Sequence, residues 1–226
     1  MTIIEFPDVI QGSDEWHDQR RGIVSASVVG QLVTPKTLKI AANDKSRAIV
    51  TQLVAERITG YTDPTYVGDD MLRGVEDELR ARDLYAEVYE RPVREVGFLL
   101  RKENTWQLGY SPDGLVGDDG LIEVKSRRSK LHLATILADE VPAEFMAQCQ
   151  AGLLVSGREW LDFISYSGGM PMWHKRVLPD PAWHEAIIAA AEQFETTAAE
   201  MVADYATKTK GLPATERTSD YMEMTI

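Results

Sequence analysis

The stretch SPDGLVGDDGLIEVKSR, Ser111 to Arg127, decides how this chain is read. Two apolar segments, Leu115–Val116 and Leu121–Lys125, flank Gly-Asp-Asp-Gly, a turn sequence that reverses a hairpin. Strand residues two apart share a face, so Glu123 and Lys125 project together while Ile122 and Val124 point into the core. Asp113, held by the preceding Pro112, then sits opposite them. Two carboxylates and the Val124 carbonyl form a hard oxygen set suited to Mg²⁺, with Asp113 bridging. Lys125 supplies a point charge able to hold or deprotonate a water nucleophile. The plainer alternative is an exposed Glu–Lys pair worth ~0.2–1 kcal/mol and an Asp that only shapes a turn. Asp118 and Asp119 read as turn formers.

Outward from the hairpin, helical patterns come first, then strands, then helices again. Asp14 to Arg20 begins a short helix with Ser13 or Asp14 as N-cap, and Ser25 opens another. The polar run from Thr34 to Arg47 reads as a mobile loop, and Ile49 to Thr59 as a helix ended by Gly60. After Gly74 a long helix carries Val75, Leu79, Leu84 and Val88 near one stripe. RPVREVGFLL and TWQLGY read as a hairpin, AEFMAQCQAGLLVSG as an apolar helix, and WLDFISYS with MPMWHKRVL as a second hairpin turned by Gly168 and Gly169. Pro181 to Ala206 is a helix with Pro at N1 after Asp180, and the tail 211–226 frays. This order predicts an α+β fold, an α/β sandwich, and one domain over 1–226 with its core at about 11–178. No Gly-rich phosphate loop points to a nucleotide cofactor.

The chain has 36 acidic and 24 basic residues, a net charge of −12, so bulk electrostatics do not coat nucleic acid with it. Local basic patches and bound cations remain compatible, because screening limits distant charges to ~8–10 Å. A single cysteine, Cys149, excludes an intrachain disulfide and a four-cysteine metal site, and fits a reducing cytoplasmic setting. The N-terminal segment has no basic leader, no window reaches the ~18 apolar residues of a membrane span, and a soluble protein is expected.

SPDGL…GLIEVK resembles the catalytic hairpin of the PD-(D/E)XK nuclease superfamily, and within it the lambda-phage-type alkaline exonucleases, the YqaJ-like viral recombinases. GSDEWHDQRRGIVSAS, RGVEDE and FMAQCQ follow that family's order from about residue 11 to 155. The resemblance implies a restriction-endonuclease-like core, a central mixed sheet flanked by helices. It implies Asp113 and Glu123 as metal ligands, Lys125 as the catalytic lysine, and Glu78 as a helix-borne glutamate serving a second metal. Arg20 and Ser27, with Ser25, would hold a 5′-terminal phosphate; an ordinary surface arginine and an N-cap serine are the plainer alternatives. Gln150, with Gln148 as the alternative, would be the glutamine presented to the site. Met71, with Leu72, falls where the family has an apolar wedge between terminal base pairs. Trp16 reads as a core anchor.

Arg127, Arg128 and Lys130 are candidates for phosphate contacts from the residues themselves. Here the chain departs from the lambda pattern, which has a proline shortly after the lysine. The implied activity is Mg²⁺-dependent, with Mn²⁺ substituting: 5′→3′ digestion of double-stranded DNA ends, releasing 5′-mononucleotides and leaving 3′ single-stranded tails for phage-type recombination. A toroidal homotrimer and a single-strand annealing partner are implied with it; such a ring would let basic residues line the channel while the acidic helix from Pro181 faces outward. The competing readings are a restriction-type or RecB-type endonuclease on the same fold and a non-catalytic DNA-end binding module.

Overall fold

A computed structural model describes residues 2–64 and 68–217. Its centre is a five-stranded mixed sheet in the order β10-β9-β8-β7-β4, comprising β4 (Val93–Arg94), β7 (Gly114–Val116), β8 (Gly120–Ser126), β9 (Trp160–Tyr166) and β10 (Trp173–Val177). β8 pairs antiparallel with β7 and parallel with β9, so the decisive hairpin forms as its turn chemistry predicts and its second strand becomes the middle of the sheet. A middle strand is covered on both faces, which is why GLIEVKS is buried through five consecutive residues.

A second sheet, β1 (Thr2–Phe6), β5 (Phe98–Lys102) and β6 (Gln107–Tyr110), carries the hairpin expected from RPVREVGFLL and TWQLGY only from Phe98 onward, because Val93–Arg94 pairs instead with β7 in the central sheet. Its edge strand β1 precedes the expected core boundary at 11 and pairs antiparallel with β5. The 34–47 segment is not simply a loop. It holds a small hairpin, β2 (Val33–Thr34) with β3 (Lys39–Ile40), and then begins a helix.

The helices are α1 (Asp14–Arg20), α2 (Ala26–Val29), α3 (Asp44–Thr59), α4 (Asp69–Val88), α5 (Ser129–Ala138), α6 (Ala143–Ser156) and α7 (Pro181–Lys208). Ser13 caps α1 through the Trp16 amide, and Asn43 with Ser46 closes a capping box on α3, earlier than apolar spacing alone suggests. Asp180 caps α7 with Pro181 at its first position, as expected. Of the expected frayed tail, residues 218–226 lie outside the described residues.

One face of the sheet packs on α6, α7 and α3 in a large apolar core that includes Leu121, Phe163, Leu153, Ile187 and Phe194. On the other face Ile122, Val124, Trp160 and Ile164 meet Ala81 and Tyr85 of α4. α4 thus corrects the sequence reading. Val75, Leu79, Leu84 and Val88 are exposed, while Asp77, Ala81 and Tyr85 are buried. The helix turns its polar groups inward because each has a partner there. Asp77 accepts from Ser126 Oγ at 2.6 Å, and the Tyr85 hydroxyl donates to Asp162 at 2.6 Å. No helix among the described residues is long and apolar enough to cross a membrane.

Candidate active site

β7 ends its pairing at Gly114↔Ile122, one residue short of Asp113. The Asp113 carboxylate then substitutes for the missing strand, accepting from the Val124 amide at 2.6 Å. A strand residue turns its N–H and C=O to the same side, so the Val124 carbonyl also faces Asp113 rather than β9. Glu123 is buried, 1 % exposed, on the face covered by α6. Three donors converge on it: Lys125 Nζ at 2.7 Å and Gln148 Nε2 at 2.5 Å on Oε1, and the Tyr110 hydroxyl at 3.0 Å on Oε2. The predicted site face is therefore not a solvent face but a walled recess.

Electrostatics follow from this crowding. Burial, then the charges of Glu123 and Glu78, push the Asp113 carboxyl well above the usual carboxylate range. Glu78, on α4, is also raised by burial, an effect that its ion pair with Arg82 at 3.4 Å opposes. Burial works against the Lys125 ammonium, but Glu123 and Asp113 outweigh it and hold the lysine protonated. Burial and Glu123 likewise keep the Tyr110 hydroxyl protonated, so its proton remains available to donate to Glu123. The buried Cys149 thiol is pushed up by burial and has no charge to offer the site.

The arrangement gathers three carboxylates, Asp113, Glu123 and Glu78, against two cations, Lys125 and Arg82. Among the described residues no three His, Cys, Asp or Glu side chains converge into a closed metal cage. The donor set still fits a hard dication, since Mg²⁺ is usually held by one or two carboxylates and keeps several waters. Asp113 and Glu123 would supply that pair.

Gln150 is corrected. Its amide is 2 % exposed, donates to the Leu178 carbonyl at 2.9 Å and accepts from the Asp180 amide at 2.9 Å, so it fastens the start of α7 and does not face the recess. Two residues apart on a helix means ~200° of rotation, so only one glutamine can reach Glu123, and the packing of α6 selects Gln148. Tyr110 was missed. Its only sequence signal was a hydroxyl ending an apolar strand three residues before Asp113.

Arg20, Ser25 and Ser27 do come together. Arg20 donates to Ser25 Oγ at 3.0 Å and to Ser27 Oγ at 3.4 Å, and its guanidinium lies 4.0 Å from the centre of the Trp16 ring. Trp16 is half-buried and donates to Ser111 Oγ at 2.8 Å, which links this cluster to the segment that leads into Asp113. α2 is a single turn, and the Ser25 hydroxyl serves Arg20 rather than capping it.

Beyond β8 the chain enters α5, a helix for which the sequence pattern gives no expectation. Arg127 lies against the first turn of α6, over the Phe145 ring and 3.4 Å from Glu144, while Arg128 pairs with Asp70 at 3.0 Å. Lys130 is exposed in the first turn of α5. Met71 and Leu72 are exposed in the first turn of α4. A cleft of about 550 Å³ runs between residues 7–12 and α4, bordered by Trp16, Glu78, Leu79 and Pro112.

A mixed sheet whose middle strand brings Glu and Lys against a turn-borne Asp defines a nuclease-type scaffold. The model of the YqaJ-like viral recombinase domain matches residues 15–159, and the chain belongs to that family. The structure is similar to an alkaline exonuclease, LHK-Exo, from Laribacter hongkongensis, at 29 % identity and TM-score 0.79 over 89 % of this chain and 100 % of that one. The same enzyme in complex with dAMP matches at 32 % identity and TM-score 0.78, with the same coverage. A phage-related exonuclease from Haemophilus somnus 129PT shares the fold at 14 % identity and TM-score 0.58, over 79 % of this chain and 96 % of that one. No curated protein sequence matches the chain.

Proposed function

We propose that this chain is a DNA exonuclease, one nuclease domain over residues 1–226, that digests double-stranded ends 5′→3′. It would release 5′-mononucleotides and leave 3′ single-stranded tails for recombination. The observation that carries the reading is the recess itself: buried Glu123 held by Lys125, Gln148 and Tyr110, beside an Asp113 carboxyl raised by burial and then by neighbouring carboxylates, in the fold of alkaline exonucleases. The dAMP complex of the similar enzyme supports a mononucleotide product.

Asp113 and Glu123, with the Val124 carbonyl, would hold Mg²⁺, and Glu78 would serve a second ion. Bound there, the cation supplies Lewis acidity toward the phosphodiester and neutralises the carboxylates. The protein's own groups do the rest. Lys125, protonated by its setting, donates to a phosphate oxygen or to the attacking water rather than acting as a base. Gln148 and Tyr110 fix the Glu123 carboxylate so that its orientation does not depend on substrate. Arg20, Ser25 and Ser27 receive the terminal 5′-phosphate, a charge-assisted site of the kind that positions a backbone. Arg127, Arg128 and Lys130 extend the cationic approach, and Met71 with Leu72 forms the wedge against the terminal base pair. A homotrimeric ring and a single-strand annealing partner belong to the same reading, as does a cytoplasmic location.

The test is digestion of linear duplex DNA labelled at the 5′ or the 3′ end, with Mg²⁺, with Mn²⁺ and with chelator. Metal-dependent release of 5′-mononucleotide, abolished by Glu123→Ala, is expected. Cleavage of closed circles would assign a restriction- or RecB-type endonuclease instead. End binding without cleavage by the unaltered chain would leave only a binding module.

A further inference from the structure

The turn that follows Arg20 is gripped from outside the site. Residues 20–23 form a tight turn closed by the Ile23 amide donating to the Arg20 carbonyl at 3.1 Å, with Arg21 at φ −57°, ψ 124° and Gly22 at φ +65°. These angles define a type II turn, which needs glycine at its third position and leaves the Gly22 amide pointing outward without a partner of its own. α3 supplies the partners. Glu56 Oε2 accepts from the Gly22 amide at 2.8 Å, and Arg57 Nε donates to the Gly22 carbonyl at 2.6 Å. A side chain at residue 22 would strike Arg57 Cγ at 2.4 Å, so the clamp is closed tightly on glycine.

Arg57 is itself locked. Its two terminal nitrogens donate to the two carboxylate oxygens of Glu195 on α7 at 2.7 and 2.8 Å, and its guanidinium lies 4.8 Å from the centre of the Phe194 ring. A bidentate pair of this kind fixes direction as well as distance. Both Glu56 oxygens are also taken, Oε2 by Gly22 and Oε1 by Gln52 at 3.2 Å. Burial lowers the Arg20 pKa below the ordinary arginine value, an effect that the nearby Glu56 charge opposes without forming an ion pair with it. Among the described residues Arg20 is left with hydroxyl partners and an aromatic face and no carboxylate partner.

We propose that Glu56 and Arg57, braced by Glu195, are positioning residues that set the chain's discrimination for a 5′-phosphorylated DNA end by fixing the Arg20 turn. This rests on the reading that Arg20, Ser25 and Ser27 receive the terminal phosphate. Among the described residues the partners of the clamp are Gly22, Gln52, Glu195 and Phe194 and not Asp113, Glu123 or Lys125, so loosening it separates recognition of the end from cleavage.

The experiment compares duplexes bearing a 5′-phosphate or a 5′-hydroxyl, digested by the full chain and by Glu195→Ala, Arg57→Lys and Arg20→Ala. Glu195→Ala removes the brace at a site where both partners are about one-quarter exposed, and Arg57→Lys keeps the charge but cannot serve Gly22 and Glu195 together. For both variants KM on the phosphorylated end should rise about tenfold, the loss of one charge-assisted contact. kcat and the rate on the hydroxyl end should stay at the unaltered level. If Arg20→Ala erases the phosphate preference while Glu195→Ala and Arg57→Lys keep it, or slow both ends in parallel, the clamp is overturned and the phosphate reading stands. If the unaltered chain and Arg20→Ala treat the two ends alike, the phosphate reading fails and the clamp falls with it.

Discussion

Gln148 and Gln150 differ by two positions on one helix, and the structure predicts opposite consequences for removing each. Gln150→Ala strips partners from the Leu178 carbonyl and the Asp180 amide, and Asp180 is the residue that caps α7. Leaving two such groups unsatisfied costs about 2–4 kcal/mol together, which for a chain of this size lowers Tm by roughly 5–15 °C. The recess is untouched, so kcat on duplex DNA at a permissive temperature should stay within about twofold of the unaltered chain. Gln148→Ala removes one of three donors to Glu123 from a half-buried position. Stability should then change by under ~1 kcal/mol, while loss of a donor to a charged carboxylate lowers kcat by roughly 10–100-fold. Thermal melting followed by circular dichroism, together with release of acid-soluble nucleotide, reads both axes on the same preparations. A Gln148→Ala protein that melts early and cuts normally, beside a Gln150→Ala protein that is stable and inactive, would refute the assignment of the two glutamines.

Asp162, 1 % exposed, resists the cost of burial because Arg176 and Tyr85 hold its carboxyl below the ordinary range. A depressed folded-state pKa gives stability that is present above the unfolded value of about 4 and lost as pH falls through the folded one. Urea midpoints measured from pH 6 down to pH 2 should fall more steeply for the unaltered chain than for Asp162→Asn, and parallel curves would contradict this. Gly152→Ala would place a Cβ 2.8 Å from the Tyr110 ring, so it should cost about 1–3 kcal/mol and, by moving a donor to Glu123, also lower kcat. Chemical denaturation with a parallel rate assay separates that from loss of stability alone. Millimolar Mg²⁺ should raise the Tm of the unaltered chain by a few degrees and that of Asp113→Asn by much less, as expected when an ion binds only the folded site. Equal shifts would remove Asp113 from the ligand set.

The amino-acid sequence determined the hairpin and which residue types share its faces. Alternation along GLIEVKS separates Ile122 and Val124 from Glu123 and Lys125 whatever packs around them, and Gly-Asp-Asp-Gly reverses the chain by local turn preference. The same holds for the caps at Ser13 and Asp180 and for the adjacency of Arg20 to two serines, because each depends on neighbours within a few residues.

What lies between distant segments only the tertiary structure decided. Apolar spacing gave α4 an inward stripe, but the residues that have partners on the sheet are Asp77 and Tyr85, whose mates Ser126 and Asp162 lie 49 and 77 positions away. A polar group can be buried only where another group meets it, and periodicity says nothing about where that group is. The choice of Gln148 over Gln150, the Tyr110 hydroxyl on Glu123, and the hold of Glu56, Arg57 and Glu195 on Gly22 all have this origin. Residue types near the hairpin named the chemistry; the packing of α3, α6 and α7 fixed which side chains aim it.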